Sequence, residues 1–123
     1  MGTRAAMTFF YVALGGAIGA TLRYLTALVV VFPFGTLLVN VVGSFLIGLA
    51  FVHLTTRGMD RAMLFGVSGL LGGFTTFSAF SLDALKLVEK GQWGMAGAYV
   101  AGTVILSLTA VFLGVFLARG ASL

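Results

Sequence analysis

The stretch GLLGGFTTFSAF, residues 69–80, decides how the third quarter of this chain folds. Its neighbours are apolar enough to cross a membrane, yet it contains the pairs Gly72–Gly73 and Thr75–Thr76. Glycine costs about 1 kcal/mol relative to alanine inside a helix, and β-branched threonine somewhat less. We therefore expect the helix to unwind here, where freed backbone carbonyls could bind a cation. The alternative is a continuous helix with a close-packed glycine notch.

The composition is that of an integral membrane protein. Of 123 residues, 60% are hydrophobic and 8% are charged, and the mean hydropathy is +1.16. A soluble domain of this length could not carry so much apolar surface. The length predicts a single domain over residues 1–123. The net charge of +4 comes from residues near the ends of the apolar segments. This placement favours contact with membrane lipid over nucleic-acid binding.

Polar residues divide the chain into four apolar lengths, each near the roughly 20 residues that cross a bilayer as a helix. The expected spans are Met7–Val29, Gly35–Leu54, Ala62–Val88 and Met95–Leu117. Open strands are excluded because lipid offers no partner for unpaired backbone groups, and four strands cannot close a barrel. The predicted fold class is an all-α integral membrane protein with four transmembrane helices, of which the third is interrupted.

The charges at the ends of the spans favour neither orientation strongly. One side of the membrane carries Arg4, Arg57, Arg61 and Arg119, and the other carries Lys86, Lys90 and, near the far end of the first span, Arg23. A bias of four against three sets orientation weakly under the positive-inside rule. We therefore expect dual topology, with copies inserted both ways, which makes antiparallel pairing available.

Polar side chains recur every four residues on the second and fourth spans. They are Thr36, Asn40 and Ser44 on one, and Tyr99, Thr103 and Ser107 on the other. Such spacing places each set on one helix face, and an amide at membrane depth should face protein or water. The aligned faces favour a permeation path. The alternative is that the hydroxyls bond carbonyls four residues earlier. Arg23 either reaches the membrane surface or makes a vestibule electropositive.

The residues of the spans argue against two other classes of membrane protein. Asp83 and Glu89 lie toward the end of the third span, and no acid is placed well for a proton-coupled cation exporter. The sequence contains no nucleophile and base pair, phosphate loop or metal cluster, so we expect no enzyme. A small multidrug-type exporter and a purely structural membrane subunit remain the alternatives to a permeation path.

Three motifs in order resemble those of the Fluc (CrcB-type) fluoride channels. They are GGAIGATLRY at 15–24, GTLLVNVVGSF at 35–45 and GGFTTFSAF at 72–80. The resemblance extends over nearly the whole chain. It implies a multi-pass protein of the plasma membrane that exports fluoride passively. It also implies an antiparallel, dual-topology homodimer with a separate pore on each side, each assembled from both subunits. Ala79 departs from the family, which often has threonine there.

The resemblance also implies roles for individual residues. Phe77 and Phe80 would present electropositive ring edges to the anion, consistent with the ring quadrupole. The pore would further contain Asn40, Ser81 and the polar track of Tyr99, Thr103 and Ser107, with Arg23 in the vestibule. Backbone carbonyls of Gly72 and Thr75 from both subunits would hold a structural sodium ion on the dimer axis. The implied partners are thus fluoride, sodium, lipid and a second copy of the chain.

Overall fold

The computed structural model describes residues 2–56, 58 and 60–121, all of whose regular structure is helical. The helices are α1 (Thr3–Val29), α2 (Phe34–Thr56), α3 (Asp60–Ala62), a π-helical segment (Met63–Leu71), α4 (Gly72–Phe74), α5 (Ser78–Glu89) and α6 (Trp93–Ala121). Arg57, one of the charges used to compare the sides of the membrane, lies outside the described residues.

Four helical stretches are long and apolar enough to cross a membrane, as predicted. They are Thr3–Val29, Phe34–Thr55, Met63–Glu89 and Trp93–Gly120. The predicted spans were shorter at several ends because hydropathy marks the hydrocarbon core, whereas the helices continue into the region of the lipid headgroups. The prediction of an all-α, multi-pass membrane protein is therefore confirmed.

The third span is interrupted as predicted, but the interruption lies after the paired glycines. Gly72 and Gly73 are helical, in α4, and the chain becomes extended at Thr75, with φ −83° and ψ 156°. Helix α5 then begins at Ser78. The break thus falls within the stretch where unwinding was expected, and it begins at Thr75 because packing against α1 outweighs the low helix propensity of the glycines.

The glycines bring the third span into close contact with α1. A β-carbon on Gly73 would lie 2.7 Å from the carbonyl oxygen of Gly16, and one on Gly69 would lie 3.0 Å from Gly15 Cα. Gly15 and Gly19 are buried on the facing side of α1. Small residues allow membrane helices to approach at backbone distance. The glycine notch and the break are thus both present, at neighbouring positions.

The other helices complete the framework around the break. Gly48 on α2 and Gly114 on α6 meet so closely that a β-carbon on Gly48 would lie 3.2 Å from Gly114 Cα. Leu87 on α5 is 2% exposed and belongs to a buried cluster with Tyr99 of α6. Helices α2, α5 and α6 therefore enclose the non-helical segment between α4 and α5, residues 75–77, on one side.

Candidate functional site

A cleft of about 290 Å³ lies beside the break in the third span. Its walls come from α2, the non-helical segment 75–77, α5 and α6. The lining residues are Asn40, Ser44, Thr75, Thr76, Phe77, Phe80, Thr103, Val104, Ser107 and Leu108. The cleft therefore brings together residues of the second and third sequence motifs and of the polar face on α6.

Asn40 binds the backbone of Thr76, in the non-helical segment 75–77, through both polar atoms of its side-chain amide. Its Nδ2 donates to the Thr76 carbonyl at 2.9 Å, and its Oδ1 accepts from the Thr76 N–H at 2.8 Å. The side chain is only 9% exposed. An unpaired amide and an unpaired peptide group would each be costly at membrane depth. Asn40 supplies the partners that the interrupted helix cannot supply.

Each of the two threonines at the break forms hydrogen bonds with one half of the interrupted helix. The Thr75 hydroxyl and N–H both donate to the Leu71 carbonyl, at 2.9 and 3.0 Å. The Thr76 hydroxyl accepts from the Ala79 N–H at 3.1 Å, at the start of α5. The first N–H groups of a helix have no partner within it, so this bond satisfies one of them. Adjacent threonines therefore stabilise both ends of the interruption.

Phe77 and Phe80 both line the cleft and contact one another. Their ring centroids are 5.5 Å apart with an interplanar angle of 62°, an edge-to-face arrangement. Phe77 is 76% exposed and Phe80 is 7% exposed. The edge of an aromatic ring is electropositive relative to its face. A T-shaped pair with one ring free can therefore present an edge to an anion.

Tyr99 lies behind Phe80 and is absent from the cleft lining. Its ring is 5.4 Å from that of Phe80, and its hydroxyl donates to Asp83 Oδ2 at 3.2 Å. Tyr99 therefore reaches the cleft through Phe80, and its place in one polar track with Thr103 and Ser107 stays a prediction. Asp83 is only 8% exposed. This acid near the end of the third span is therefore a buried hydrogen-bond acceptor.

Thr103 and Ser107 line the cleft with hydroxyl groups that remain unpaired. Among the described residues, neither buried hydroxyl has a hydrogen-bond partner. Bonding to a carbonyl four residues earlier is the alternative for such residues. Thr21 and Thr26 on α1 show that pattern, donating to Ala17 and Leu22. The hydroxyls of α6 thus retain donors for a ligand in the cleft.

Ser81 lies on the exposed side of α5 and bonds within its own helix. Its hydroxyl donates to the Phe77 carbonyl at 3.0 Å, its side chain is exposed, and it does not line the cleft. The family resemblance implies that Ser81 is a donor in the pore, which stays a prediction. One residue of rotation about α5 separates the directions of Phe80 and Ser81 by about 100°. Ser81 therefore follows the backbone-bonding alternative.

Arg23 joins α1 to the third span just before the break. Its Nε donates to the Gly73 carbonyl at 3.2 Å, and the side chain is half-buried. It lines a second cavity of about 410 Å³ together with Thr36, Asp83 and Lys86. Both cations and the carboxylate face this space. The predicted vestibule residue therefore lies in a polar cavity beside the cleft.

Gly72 and Thr75, the predicted sodium ligands, lie at either end of the last turn before the break. In a continuous helix the Thr76 N–H would bond the Gly72 carbonyl four residues earlier. Here that N–H bonds Asn40 instead. Gly72 is exposed at the surface of the chain. A carbonyl released in this way is the kind of ligand that binds sodium in interrupted membrane helices, so Gly72 fits the implied ion.

Thr76 and Asp83 were not among the predicted site residues. The bonds of Asn40 to Thr76 join positions 36 residues apart, and no spacing rule could indicate them. Asp83 is three residues beyond Phe80, so it shares a face of α5 with that ring. That spacing was the available signal for a buried acid behind the aromatic pair.

Comparison with known proteins identifies the family. Residues 10–115 match the family described as CrcB-like protein, Camphor Resistance (CrcB). A fluoride-specific ion channel FluC of Cereibacter sphaeroides is 53% identical over 115 residues, covering 89% of this chain and 92% of that protein. The FluC proteins of Agrobacterium fabrum and Roseiflexus sp. are 49% and 47% identical, covering 88% and 92% of this chain and 93% and 98% of their own. With four apolar spans and a match over most of its length, the chain belongs to the CrcB family of multi-pass membrane proteins.

Proposed function

We propose that this protein is a passive, fluoride-selective ion channel of the plasma membrane that lets fluoride leave the cytoplasm. Relatives that are 53% and 49% identical to this chain over most of its length are named fluoride-specific ion channels. A channel needs a path and not a reaction centre, which agrees with the cleft at the break. The observation that carries the proposal is the meeting of the Phe77 and Phe80 rings with the unpaired hydroxyls of Thr103 and Ser107 in that cleft.

The chemistry of the cleft suits a small, strongly hydrated anion. Hydroxyl and amide donors can replace water around fluoride, and the ring edges add weak polarised C–H contacts. Asn40 uses one Nδ2 hydrogen on Thr76 and retains the other for a ligand. Several weak sites in a row favour conduction, because binding must be strong enough for entry and weak enough for release.

The conducting form is proposed to be an antiparallel homodimer with two pores. Phe77 leaves 76% of its surface exposed, so one chain does not enclose the ring that the path requires. A second copy could cover it, and the weak charge bias of the loops permits insertion in opposite orientations. Each pore would then be completed by residues of both copies.

Sodium is proposed to bind on the dimer axis through the carbonyls of Gly72 and Thr75 from both copies. Carbonyl oxygens of an unwound membrane helix are suitable sodium ligands. The ion would supply a fixed positive charge and hold the interrupted segments of the two chains together. Arg23, which donates to Gly73 next to this site, would help to orient the same turn.

The test is fluoride efflux from liposomes that contain the purified protein, followed with a fluoride electrode. We expect efflux down the fluoride gradient once a potassium ionophore balances the charge, and no comparable efflux of chloride. Protein-free liposomes are the control. Replacing sodium by a large organic cation on both sides should weaken the flux.

The same assay separates the alternatives. Efflux that requires an imposed pH gradient, or movement of organic cations coupled to protons, would indicate an exporter. Liposomes that retain fluoride although the protein is folded and inserted would indicate a structural subunit. Either result would overturn the proposed function.

A further inference from the structure

We propose that Asn40 is a positioning residue for the sodium site, acting on it through the Thr76 peptide. By occupying the Thr76 N–H, Asn40 keeps the Gly72 carbonyl from closing a helical turn and so leaves it available to the cation. This inference rests on the sodium site in the proposed function. It gives Asn40 a second role besides lining the cleft.

The hydrogen bonds of the break support this role. Asn40 Oδ1 accepts from the Thr76 N–H at 2.8 Å, and Nδ2 donates to the Thr76 carbonyl at 2.9 Å. Both bonds reach from α2 to a residue that lies outside every helix. The preceding turn is still helical, since the Thr75 N–H bonds the Leu71 carbonyl at 3.0 Å. The helical ladder therefore ends at the residue whose N–H Asn40 takes.

The partner of the Thr76 peptide groups has to be a side-chain amide. Thr76 offers one donor and one acceptor of its peptide groups to the same side chain, so the partner must provide an acceptor and a donor. Asparagine provides both on one short side chain. Alanine provides neither, and leaves two backbone groups to be satisfied elsewhere at membrane depth.

The nearest alternative partner for the Thr76 N–H is the Gly72 carbonyl. Without Asn40, the helix could continue by a further turn, in which the Thr76 N–H would bond the Gly72 carbonyl four residues earlier. That bond would withdraw the carbonyl that the cation needs. By linkage, an interaction that favours the released carbonyl also favours cation binding, and its loss weakens the binding by the same factor.

Sodium-dependent thermal stability tests the inference directly. Unfolding midpoints of the purified protein in detergent are measured across sodium chloride concentrations, with N-methyl-D-glucamine chloride keeping the ionic strength constant. The variants are Asn40→Ala and Ser44→Ala. Ser44 is one turn further along α2 and lines the same cleft, so it is a matched loss of a polar side chain.

A bound ion stabilises in proportion to the logarithm of its concentration over its dissociation constant. We expect the wild type and Ser44→Ala to gain stability with sodium at similar concentrations. For Asn40→Ala, the sodium concentration at which the midpoint starts to rise, which lies near the dissociation constant, should increase by about tenfold or more, the effect of losing roughly one hydrogen bond to the break. A general loss of stability would lower the midpoint equally with and without sodium.

An unchanged sodium response in Asn40→Ala would overturn the inference, and so would a wild type whose stability ignores sodium. Neither result would bear on the proposed fluoride channel function, which is tested separately by fluoride efflux through the wild type. Should Asn40→Ala fail to fold, amide hydrogen exchange of the wild type provides the test. The Thr76 N–H should exchange slowly although it lies outside the helices, and exchange at the rate of an unstructured amide would refute the bond to Asn40.

Discussion

The ring of Phe80 packs against the ring of Tyr99, with centroids 5.4 Å apart and a tilt of 44°. Through this contact the wall of the cleft is connected to a buried carboxylate, because the Tyr99 hydroxyl donates to Asp83. Phe80 is thus held between Phe77 on one side and a hydrogen-bonded tyrosine on the other. Its orientation is set by packing and not by solvent.

Replacing Phe80 by isoleucine should abolish or sharply reduce fluoride efflux. The aliphatic side chain fills much of the volume but has no electropositive edge, and it loses both ring contacts, each worth about 0.5–1.5 kcal/mol. Efflux from liposomes measures the effect, and size-exclusion chromatography monitors folding. Phe9→Ile, on the exposed surface of α1, is the control. Full efflux by Phe80→Ile would remove the ring edges from the mechanism.

Removing the Tyr99 hydroxyl should destabilise the protein more than removing the charge of Asp83. Tyr99→Phe leaves a buried carboxylate without its donor, which costs about 1–3 kcal/mol. Asp83→Asn keeps an acceptor for the hydroxyl and should cost less. A double-mutant cycle measured by thermal unfolding gives the coupling between the two side chains. Additive effects would mean that the bond contributes nothing.

The contact between α1 and the third span predicts different stabilities for alanine variants of the adjacent residues Gly15 and Gly16. A β-carbon on Gly15 would lie 2.8 Å from the Leu70 nitrogen, whereas one on Gly16 would come no closer than 4.0 Å to Gly69. Gly15→Ala should therefore cost about 1–3 kcal/mol by overpacking. Gly16→Ala should be close to neutral. Equal thermal stability of the two variants would contradict the packing described for this face.

How far the sequence could predict this architecture depends on the range of the interactions. Four spans and an interruption follow from local composition, so they were predictable. The exact residue at which the helix ends was not, because Gly73 is held helical by contact with Gly16 on another helix. The direction of each hydroxyl was not predictable either, because a helical serine or threonine can bond a carbonyl four residues earlier or leave its hydroxyl free. Ser81 found a backbone carbonyl, whereas Thr103 did not.

Arg23 should influence fluoride entry chiefly through its charge. It shares a cavity with Lys86 and Asp83, and a cationic cavity raises the local anion concentration. Arg23→Gln should lower efflux by about threefold at low ionic strength and by less at high salt, because salt screens the charge. Arg23→Lys should recover part of the flux. An effect independent of salt would assign Arg23 to structure through its bond to Gly73.

Thr103→Val separates a structural from a conducting role for the buried hydroxyls of α6. Valine has nearly the same shape, and Thr103 makes no hydrogen bond within the described part of the chain. Deleting an unpaired buried hydroxyl should leave thermal stability unchanged or raise it by about 1 kcal/mol. Fluoride efflux should nevertheless fall, because the path loses a donor that replaces hydration water. Thr21→Val, whose hydroxyl is exposed and bonded to its own helix, is the matched control and should conduct normally. If Thr103→Val conducts like the wild type, the anion path does not use this hydroxyl; if it unfolds instead, the hydroxyl has a structural partner.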